Sequence, residues 1–192
     1  MAFRKPKDYD SVKVGEARIL PAGGYICKIL KAEEITSKTN KPMLKVFFDI
    51  TDGEFSGYFR EMFQNWKESS DDPQSVKWPF TGTKWILFFN NEGKTNRDFK
   101  SFCTALEDSG ITVWRNDTFD VGALKDANVG IIFRREEHEY NNARSWRTVP
   151  FGFRSVKTIE DGSFKVPEDK PLPEPVLSET DSFQALDEDL PF

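Results

Sequence analysis

The chain has 192 residues, enough for one domain with extensions, and its formal net charge of −5 taken alone argues against a nucleic-acid binder. The charge is uneven, because residues 160–192 hold ten acidic residues and two lysines, a net of −8, which leaves residues 1–159 at +3. A mildly basic body with an acidic tail is typical of proteins that bind polyanions, although a net charge of +3 is also ordinary for a soluble domain.

Cysteine usage and hydropathy argue against a cysteine metal site, a secreted protein and a membrane-spanning protein. Cys27 and Cys103 lie 76 positions apart in no metal-ligand spacing, so we expect two buried free thiols in a reducing cytoplasm. The N-terminal segment MAFRKPKDYD lacks the apolar region of a signal peptide, and the longest apolar run, at 85–89, is too short to span a bilayer. We therefore expect a soluble cytoplasmic protein.

The N-terminal half predicts an antiparallel meander. Residues 1–22 are polar and form a lead-in arm, after which GYICKILKAEEIT predicts a first strand. The run PMLKVFFDIT alternates between apolar and polar positions, which indicates a second, half-buried strand, and Asp52-Gly53 predicts a tight hairpin turn. EFSGYFREMFQNW predicts a third strand, in which Gly57 marks a β-bulge, and residues 67–82 are loop-like.

The rest of the body predicts one helix and a closing hairpin. WILFF at 85–89 fits either a buried strand or the start of a helical region. RDFKSFCTALEDSG places apolar residues at helical spacing and ends at Gly110, which predicts a helix with a glycine C-cap. Residues 129–140 and 145–159 then predict a hairpin across Asn141-Asn142-Ala143.

These elements predict one mainly β domain at residues 23–159, an OB-fold-like five-stranded antiparallel barrel with one main helix. From residue 160 the composition changes, because the remaining segment holds five prolines and few branched apolar residues. Such a segment cannot bury enough apolar surface to offset its ordering entropy. Residues 160–192 therefore predict a disordered acidic tail.

Candidate catalytic groups are sparse. The single histidine, His138, lies on a predicted strand, where a lone histidine is more often structural than a general base. No Cys/His cluster has zinc-ligand spacing, and no glycine-rich segment has the phosphate-loop pattern. Adjacent carboxylates such as Glu33-Glu34 and Glu136-Glu137 face opposite ways on a strand and are usually solvated. We therefore expect no enzyme activity, no metal and no cofactor.

Aromatic and basic residues instead indicate a nucleic-acid-binding surface. On the exposed face of an OB-fold sheet, cations track phosphates and aromatic rings stack bases. Strand alternation, the closing hairpin and the predicted loop supply the candidates: Lys28, Lys45, Phe47, Tyr58, Arg60, Trp66, Trp78, Arg134, Arg144, Trp146 and Arg147. For Phe47 and Trp146, packing against the core or the rim is an equally good interpretation. A register error of one residue would exchange the exposed and buried sets.

The last six residues, Asp187-Glu188-Asp189-Leu190-Pro191-Phe192, end an acidic run with an apolar residue, a proline and a phenylalanine. Pro191 restricts the backbone, and the ring and carboxylate of Phe192 suit an apolar pocket rimmed by cations. This ending resembles the C-terminal tip of bacterial and phage single-stranded-DNA-binding proteins, from which it departs by Glu188 and Leu190. The order of elements over residues 20–160 also resembles a phage-encoded group of such proteins. The resemblance implies an OB-fold body and a tip that recruits replication, recombination or repair proteins.

Together these features predict a phage-type protein that coats single-stranded DNA with little sequence preference and whose acidic tail competes with DNA for the body. Three alternatives stay open: a strand-annealing recombination mediator, an adaptor whose body binds protein, and a small metal-dependent nuclease built on clustered carboxylates. For the tip, a generic acidic tail that happens to end in Phe192 is the plainer interpretation. Self-association is also left open.

Overall fold

The computed structural model describes residues 4–5 and 18–173. The regular elements in this part of the chain are, in order, β1 (Gly23–Thr36), β2 (Pro42–Ile50), α1 (Tyr58–Glu68), β3 (Thr83–Leu87), α2 (Arg97–Glu107), β4 (Trp114–Arg115), β5 (Thr118–Phe119), β6 (Asn128–Tyr140), β7 (Ala143–Arg154) and α3 (Val156–Glu160). None of the helices within these ranges is long and apolar enough to cross a membrane.

Five of the strands form one antiparallel sheet in the order β3-β2-β1-β6-β7. The protein is therefore mainly β with a five-stranded antiparallel sheet and few helices, which confirms the predicted class. Two long hairpins, β1–β2 and β6–β7, supply four of the strands. The second hairpin turns through Asn141 and Asn142, whose φ angles of 50° and 60° are left-handed conformations that asparagine tolerates in tight turns.

The hydrophobic core lies against one face of the sheet. In β2, the side chains of Leu44, Val46 and Phe48 are fully buried, and those of Lys45 and Phe47 between them are only partly buried. Successive side chains of a strand point to opposite faces, so β2 has one face on the core and one face away from it. The alternation predicted for this strand is confirmed.

Helix α2 covers part of this core. Its Phe102 packs on Phe153 of β7 with the ring centroids 4.7 Å apart. Beyond the last turn of α2, Gly110 has a φ of 85°, and the N–H of Ile111 donates to the carbonyl oxygen of Leu106 at 2.9 Å. A left-handed glycine of this kind ends a helix by satisfying its last carbonyls. The predicted helix and its glycine end are confirmed.

The segment predicted as the third strand instead contains helix α1, so that prediction is wrong. Phe55, Phe59 and Phe63 recur every fourth residue, a spacing that places them on one side of a helix as readily as on one face of a strand. Gly57 forms no bulge but precedes the first turn of α1 with a φ of 76°. The third strand of the meander is β3, which overlaps the ambiguous run at 85–89.

Core contacts hold α1 in place. The ring of Phe59 is buried, stacked on Phe133 at a centroid distance of 6.1 Å and edge-on to Phe48 at 5.7 Å. One oxygen of the buried Asp49 carboxylate accepts the backbone N–H groups of both Ile50 and Phe59, each at 3.0 Å. Burial raises the pKa of Asp49, against the opposing effect of these two hydrogen bonds. Tertiary packing therefore decides this segment's structure over its strand-like composition.

The predicted closing hairpin is confirmed over β6 and β7, but its second strand is shorter than expected. Strand β7 ends at Arg154, and the residues that were predicted to extend it form α3. This short helix lies on the face of the sheet opposite the core. Its Ile159 is so close to Gly130 of β6 that a β-carbon added there would lie 2.5 Å from the side chain. Glycine at this position permits the close approach.

Residues 161–173, which composition assigns to the tail, fold back onto the sheet, and we call this segment the strap. The ring of Phe164 lies against Gly24 of β1, where an added β-carbon would be 2.5 Å from the ring. Burying this one aromatic side chain supplies apolar contact that the rest of the strap, rich in proline and charge, lacks.

Farther along, the strap pairs with an open edge of β6. The N–H of Lys170 donates to the carbonyl oxygen of Arg135, and its own carbonyl accepts the N–H of Glu137, both at 2.9 Å. Strand β1 pairs with β6 only as far as Phe133, so this stretch of the β6 edge has unpaired backbone groups that the strap satisfies. The remainder of the predicted tail, residues 174–192, and with it the predicted tip, lies outside the described residues.

One side chain joins the two edge strands of the sheet. The amine of Lys84 in β3 donates to the carbonyl oxygens of Pro150 at 3.1 Å and Phe151 at 3.2 Å in β7. Burial lowers the pKa of this amine. Among the described strand pairs there is no β3–β7 ladder, but the bridge brings the two edges beside each other. The sheet is therefore strongly curled.

Candidate nucleic-acid interface

Aromatic and basic side chains share the outer face of β2 and β3. Lys45 lies directly opposite Trp85 in the sheet register, and Phe47 lies two residues farther along the same face. The amine of Lys45 is 4.6 Å from the centroid of the Phe47 ring and 5.7 Å from that of Trp85. A cation held between two rings offers a phosphate contact next to two surfaces on which bases can stack.

The row continues from β3 towards β7. The ring of Phe80, 54% exposed, lies 5.1 Å from that of Trp85 at an interplanar angle of 33°. The guanidinium of Arg147 in β7 lies 5.2 Å from the centroid of Phe80. The cation–aromatic contacts thus cross the seam that Lys84 bridges, so residues from both edges of the sheet contribute to one surface.

Strands β6 and β7 supply the far end of the row. The guanidinium of Arg134 lies 4.5 Å from the ring of Phe151 and forms an ion pair with Glu136, which is directly opposite Arg147. Burial alone would raise the pKa of Glu136, but the hydrogen bond from Arg134 and the surrounding positive charges outweigh it and lower that pKa. Glu136 therefore stays ionised, and it binds Arg134 directly and faces Arg147 across the hairpin.

We call this set of seven residues the strip: Lys45, Phe47, Phe80, Trp85, Arg134, Arg147 and Phe151. The Nε atoms of Arg134 and Arg147 are buried and donate no hydrogen bond to any other described residue. A buried donor without an acceptor carries a cost in free energy. Each arginine has a ring beside it, Phe151 at Arg134 and Phe80 at Arg147, and the Glu136 carboxylate lies between the two pairs.

Four of the residues chosen from the sequence are on the strip, namely Lys45, Phe47, Arg134 and Arg147. Sequence reasoning missed Phe80, Trp85 and Phe151. Trp85 lies in the run at 85–89 that fitted either strand or helix, and only the register of β3 on β2 places it on the face of Lys45. No local sequence pattern predicts where the rings of Phe80 and Phe151 point. A 3-10 turn orients the side chain of Phe80, and a register shift in β7 orients that of Phe151.

Several candidates on α1 and in the following loop have structural partners instead. The hydroxyl of Tyr58 donates to the carbonyl oxygen of Arg18 at 2.9 Å, and Arg60 lies 3.8 Å from the Asp49 carboxylate. These two residues are on a helix, so the shared strand face predicted for them is wrong.

The two tryptophans of this region differ in exposure. Trp78 packs on Phe63 with centroids 5.4 Å apart, and its indole N–H donates to the carbonyl oxygen of Gly82 at 3.0 Å. Trp66, on α1, is 47% exposed. Trp78 is therefore held by the fold, and Trp66 is an isolated surface ring outside the strip.

The remaining candidates are in the sheet but away from the row of contacts. Lys28 of β1 lies between Asp49 and Asn128 in the register. The other two candidates, Arg144 and Trp146, are in the half of the β6–β7 hairpin nearest its turn. The guanidinium of Arg135 lies 4.9 Å from the Trp146 ring. Arg144 is 3.7 Å from Glu139 there, a half-exposed ion pair. Arg135 and Trp146 are one position away from Arg134 and Arg147, so they lie on the opposite face of the hairpin from the strip.

The histidine and the two cysteines that the sequence offers lie away from the strip. The imidazole of His138 forms a hydrogen bond with the hydroxyl of Ser145, at 3.3 Å from its Nε2, and both residues are on the distal hairpin. Burial raises the pKa of the Cys27 thiol well above its usual value and that of Cys103 to about 11, which leaves both as poor nucleophiles. Within residues 18–173 no three His, Cys, Asp or Glu side chains are grouped closely enough to hold a metal ion.

No protein-family model matches the chain, and a search of curated proteins found no match. The chemistry of the strip therefore carries the functional argument.

Proposed function

We propose that the protein binds single-stranded DNA through the strip and coats it with little sequence preference. The observation that carries the proposal is a row of rings and cations across β2, β3, β6 and β7, in which the contacts from Phe47 to Arg147 and the Arg134–Phe151 pair are joined through Glu136. Bases stack on aromatic faces regardless of sequence, and cations beside the rings neutralise the phosphates. Ring faces stack on any base, and cations that contact phosphates read no base edge, so this set of residues favours broad over sequence-specific binding.

The topology supports an OB-fold-like body. A three-stranded meander (β1, β2, β3), a helix (α2) and a final hairpin (β6, β7) joined to the first strand follow the order expected of that fold. OB-folds bind oligonucleotides or oligosaccharides on the face of their second and third strands, between the loops of the first and last hairpins. The strip begins on the corresponding strands, and its cations favour a polyanion over a neutral sugar chain.

The C-terminal tip extends the proposal to protein partners. Residues 187–192 would bind replication, recombination or repair proteins through the ring and carboxylate of Phe192, and the acidic residues would compete with DNA for the strip. The strap supports this arrangement, because it fixes Lys170 on β6 beside Arg134. The tail therefore begins close to the cations for which it would compete with DNA.

Binding of a labelled oligo-dT, followed by fluorescence anisotropy at several salt concentrations, tests the proposal. We expect Trp85→Leu to weaken binding by about 1–3 kcal/mol, the contribution of one stacked base. Lys45→Gln should reduce the slope of log K against log salt by about 0.7, the value for one phosphate contact to a single strand. Trp66→Leu and Lys125→Gln, which remove an exposed ring and an exposed amine outside the strip, serve as matched controls.

Three results would distinguish the alternatives. Failure of the wild-type chain to bind oligo-dT at low salt would refute the proposal and favour the adaptor. Faster pairing of complementary strands would add an annealing activity to DNA coating. Mg²⁺-dependent loss of the labelled strand would instead indicate a nuclease.

A chain that ends at Pro173, which retains the strap, should bind more tightly than the full chain if the acidic tail competes with DNA.

A further inference from the structure

An open cavity of about 520 Å³ lies where the strap passes the end of the strip. Arg134 and Phe151 line it on the sheet side, and strap residues between Lys165 and Pro171 line it on the other. This volume is within the range of pockets that hold one small organic molecule. The cavity combines an aromatic ring with cations from two separate segments of the chain.

The ring in this cavity is held by the geometry of β7. Ile132 of β6 pairs with Gly152 and the next residue, Phe133, pairs with Pro150, so Phe151 is the extra residue of a β-bulge. Bulges redirect the side chain of the extra residue and are frequent beside functional sites. A hydrogen bond holds the backbone of the bulge, because the Lys84 amine donates to the Phe151 carbonyl oxygen at 3.2 Å.

One face of this ring lies beside Arg134, whose guanidinium is 4.5 Å from the ring centroid, and 42% of Phe151 remains exposed. An exposed ring with its backbone fixed and a cation on one side loses little freedom when a base stacks on it.

The strap wall carries two lysines, Lys165 and Lys170, and two carboxylates, Glu168 and Asp169. Lys165 and Lys170 line the cavity, and neither amine forms an ion pair with any described carboxylate. Of the two acidic residues in the same wall, Asp169 is engaged by Arg135 at 3.3 Å. The backbone of Lys170 is held by hydrogen bonds to β6 on both of its sides, so this amine is presented from a fixed position.

We propose that the cavity is a nucleotide subsite at the end of the strip. One base of the bound strand stacks on Phe151, and its flanking phosphate is bound by Lys165 and Lys170. This inference rests on the proposed function, since it assigns to the strand a further contact beyond Phe80 and Arg147. It also gives the strap a function, because the strap completes a binding site that the sheet alone leaves with one wall.

Full-length variants separate the base contact from the phosphate contact. Phe151→Leu should weaken binding of oligo-dT by roughly 5- to 150-fold, the loss of one stacked base, with an unchanged salt slope. Phe151→Tyr keeps the ring and should retain wild-type affinity. Lys165→Gln combined with Lys170→Gln should weaken binding and lower the slope of log K against log salt by about 0.7 for each phosphate that the chain no longer neutralises. The matched charge control is Lys125→Gln combined with Lys157→Gln, two exposed lysines that do not line the cavity.

The outcomes distinguish this subsite from the proposed function as a whole. If the wild-type chain binds DNA but the Phe151 and strap-lysine variants lose no more affinity than the control, the subsite is refuted, and DNA binding is confined to the part of the strip from Phe47 to Arg147. If Phe151→Tyr is as weak as Phe151→Leu, the ring does not act by stacking, and the subsite is again refuted. If the wild-type chain binds no single strand at low salt, the proposed function fails and the subsite with it. Thermal unfolding of each variant verifies that the fold is retained.

Discussion

The buried carboxylate of Asp49 connects the end of β2 to the start of α1, and its substitution tests how that helix is positioned. The same oxygen, Oδ1, accepts both the Ile50 and the Phe59 N–H groups. Asp49→Ala removes the acceptor and leaves two buried donors unsatisfied. At about 1–3 kcal/mol for each buried unpaired group, partly offset where water enters, we expect a loss of about 2–4 kcal/mol in the free energy of unfolding.

Asp49→Asn is the matched variant, because its amide oxygen can occupy the Oδ1 position and keep both hydrogen bonds. It loses charge at the second oxygen, which pairs with the 64% exposed Arg60 side chain at 3.8 Å, and it weakens the further backbone hydrogen bond from Arg60 to this carboxylate. Exposed ion pairs contribute little, and the substitution also removes a desolvated charge. We therefore expect Asp49→Asn to lie within about 1 kcal/mol of the wild type in urea unfolding at pH 7.

The pH dependence gives an independent check. Burial raises the pKa of Asp49 in the folded protein above its unfolded value of about 3.9, so the folded state holds this proton more tightly than the unfolded chain. This contribution to stability is complete below the unfolded pKa and is lost as pH rises through the folded pKa. Relative to the wild type, Asp49→Asn should therefore gain stability as pH rises from about 4 towards 7.

Two results would refute this reasoning. If Asp49→Ala costs less than about 0.5 kcal/mol, the size of an ordinary surface substitution, the two hydrogen bonds do not hold α1. If Asp49→Asn destabilises the protein as much as Asp49→Ala, the charge and not the acceptor atom is what the site requires.

Two further substitutions test the packing of α1 and of the strap. Phe59→Ala should reduce the free energy of unfolding by about 3–5 kcal/mol, because it empties a core position. Trp66→Ala, on the exposed side of the same helix, should change that free energy by less than about 0.5 kcal/mol. Equal effects of the two substitutions in urea unfolding would contradict the observed orientation of α1. Gly24→Ala places a β-carbon 2.5 Å from the Phe164 ring and should release the strap, which trypsin would then cleave faster after Lys165. Gly152→Ala is the control, because its added β-carbon would lie 4.0 Å from the nearest atom, and it should leave the rate of cleavage unchanged.

Local patterns predicted those parts of the fold in which one signal excluded the alternatives. Alternation in PMLKVFFDIT placed Leu44 and Val46 in the core and Lys45 on the other face, because a strand has a period of two. The helix over residues 97–107 and the turn at Asn141 were predictable for the same reason, since apolar spacing and turn chemistry are properties of neighbouring residues.

The errors arose where a local pattern suited two structures. Aromatic residues four apart in EFSGYFREMFQNW fit a strand and a helix equally, and the choice is made by the pocket between Phe48 and Phe133 and by the Asp49 carboxylate. A composition rich in proline and charge likewise gave no sign that the strap lies on the sheet, because its partners, Gly24 and the β6 edge, are far away in sequence.

The sequence by itself determined a mainly β body with a basic surface and an acidic C-terminal segment, since composition, alternation and charge are read directly from neighbouring residues. Only the tertiary structure decided which of the aromatic and basic residues form one surface. Phe47, Phe80 and Phe151 belong to segments separated by 33 and 71 positions, and they form one row because the curled sheet brings β3 beside β7. Contacts between strands that are distant in sequence depend on how the whole core packs, and no local pattern encodes them.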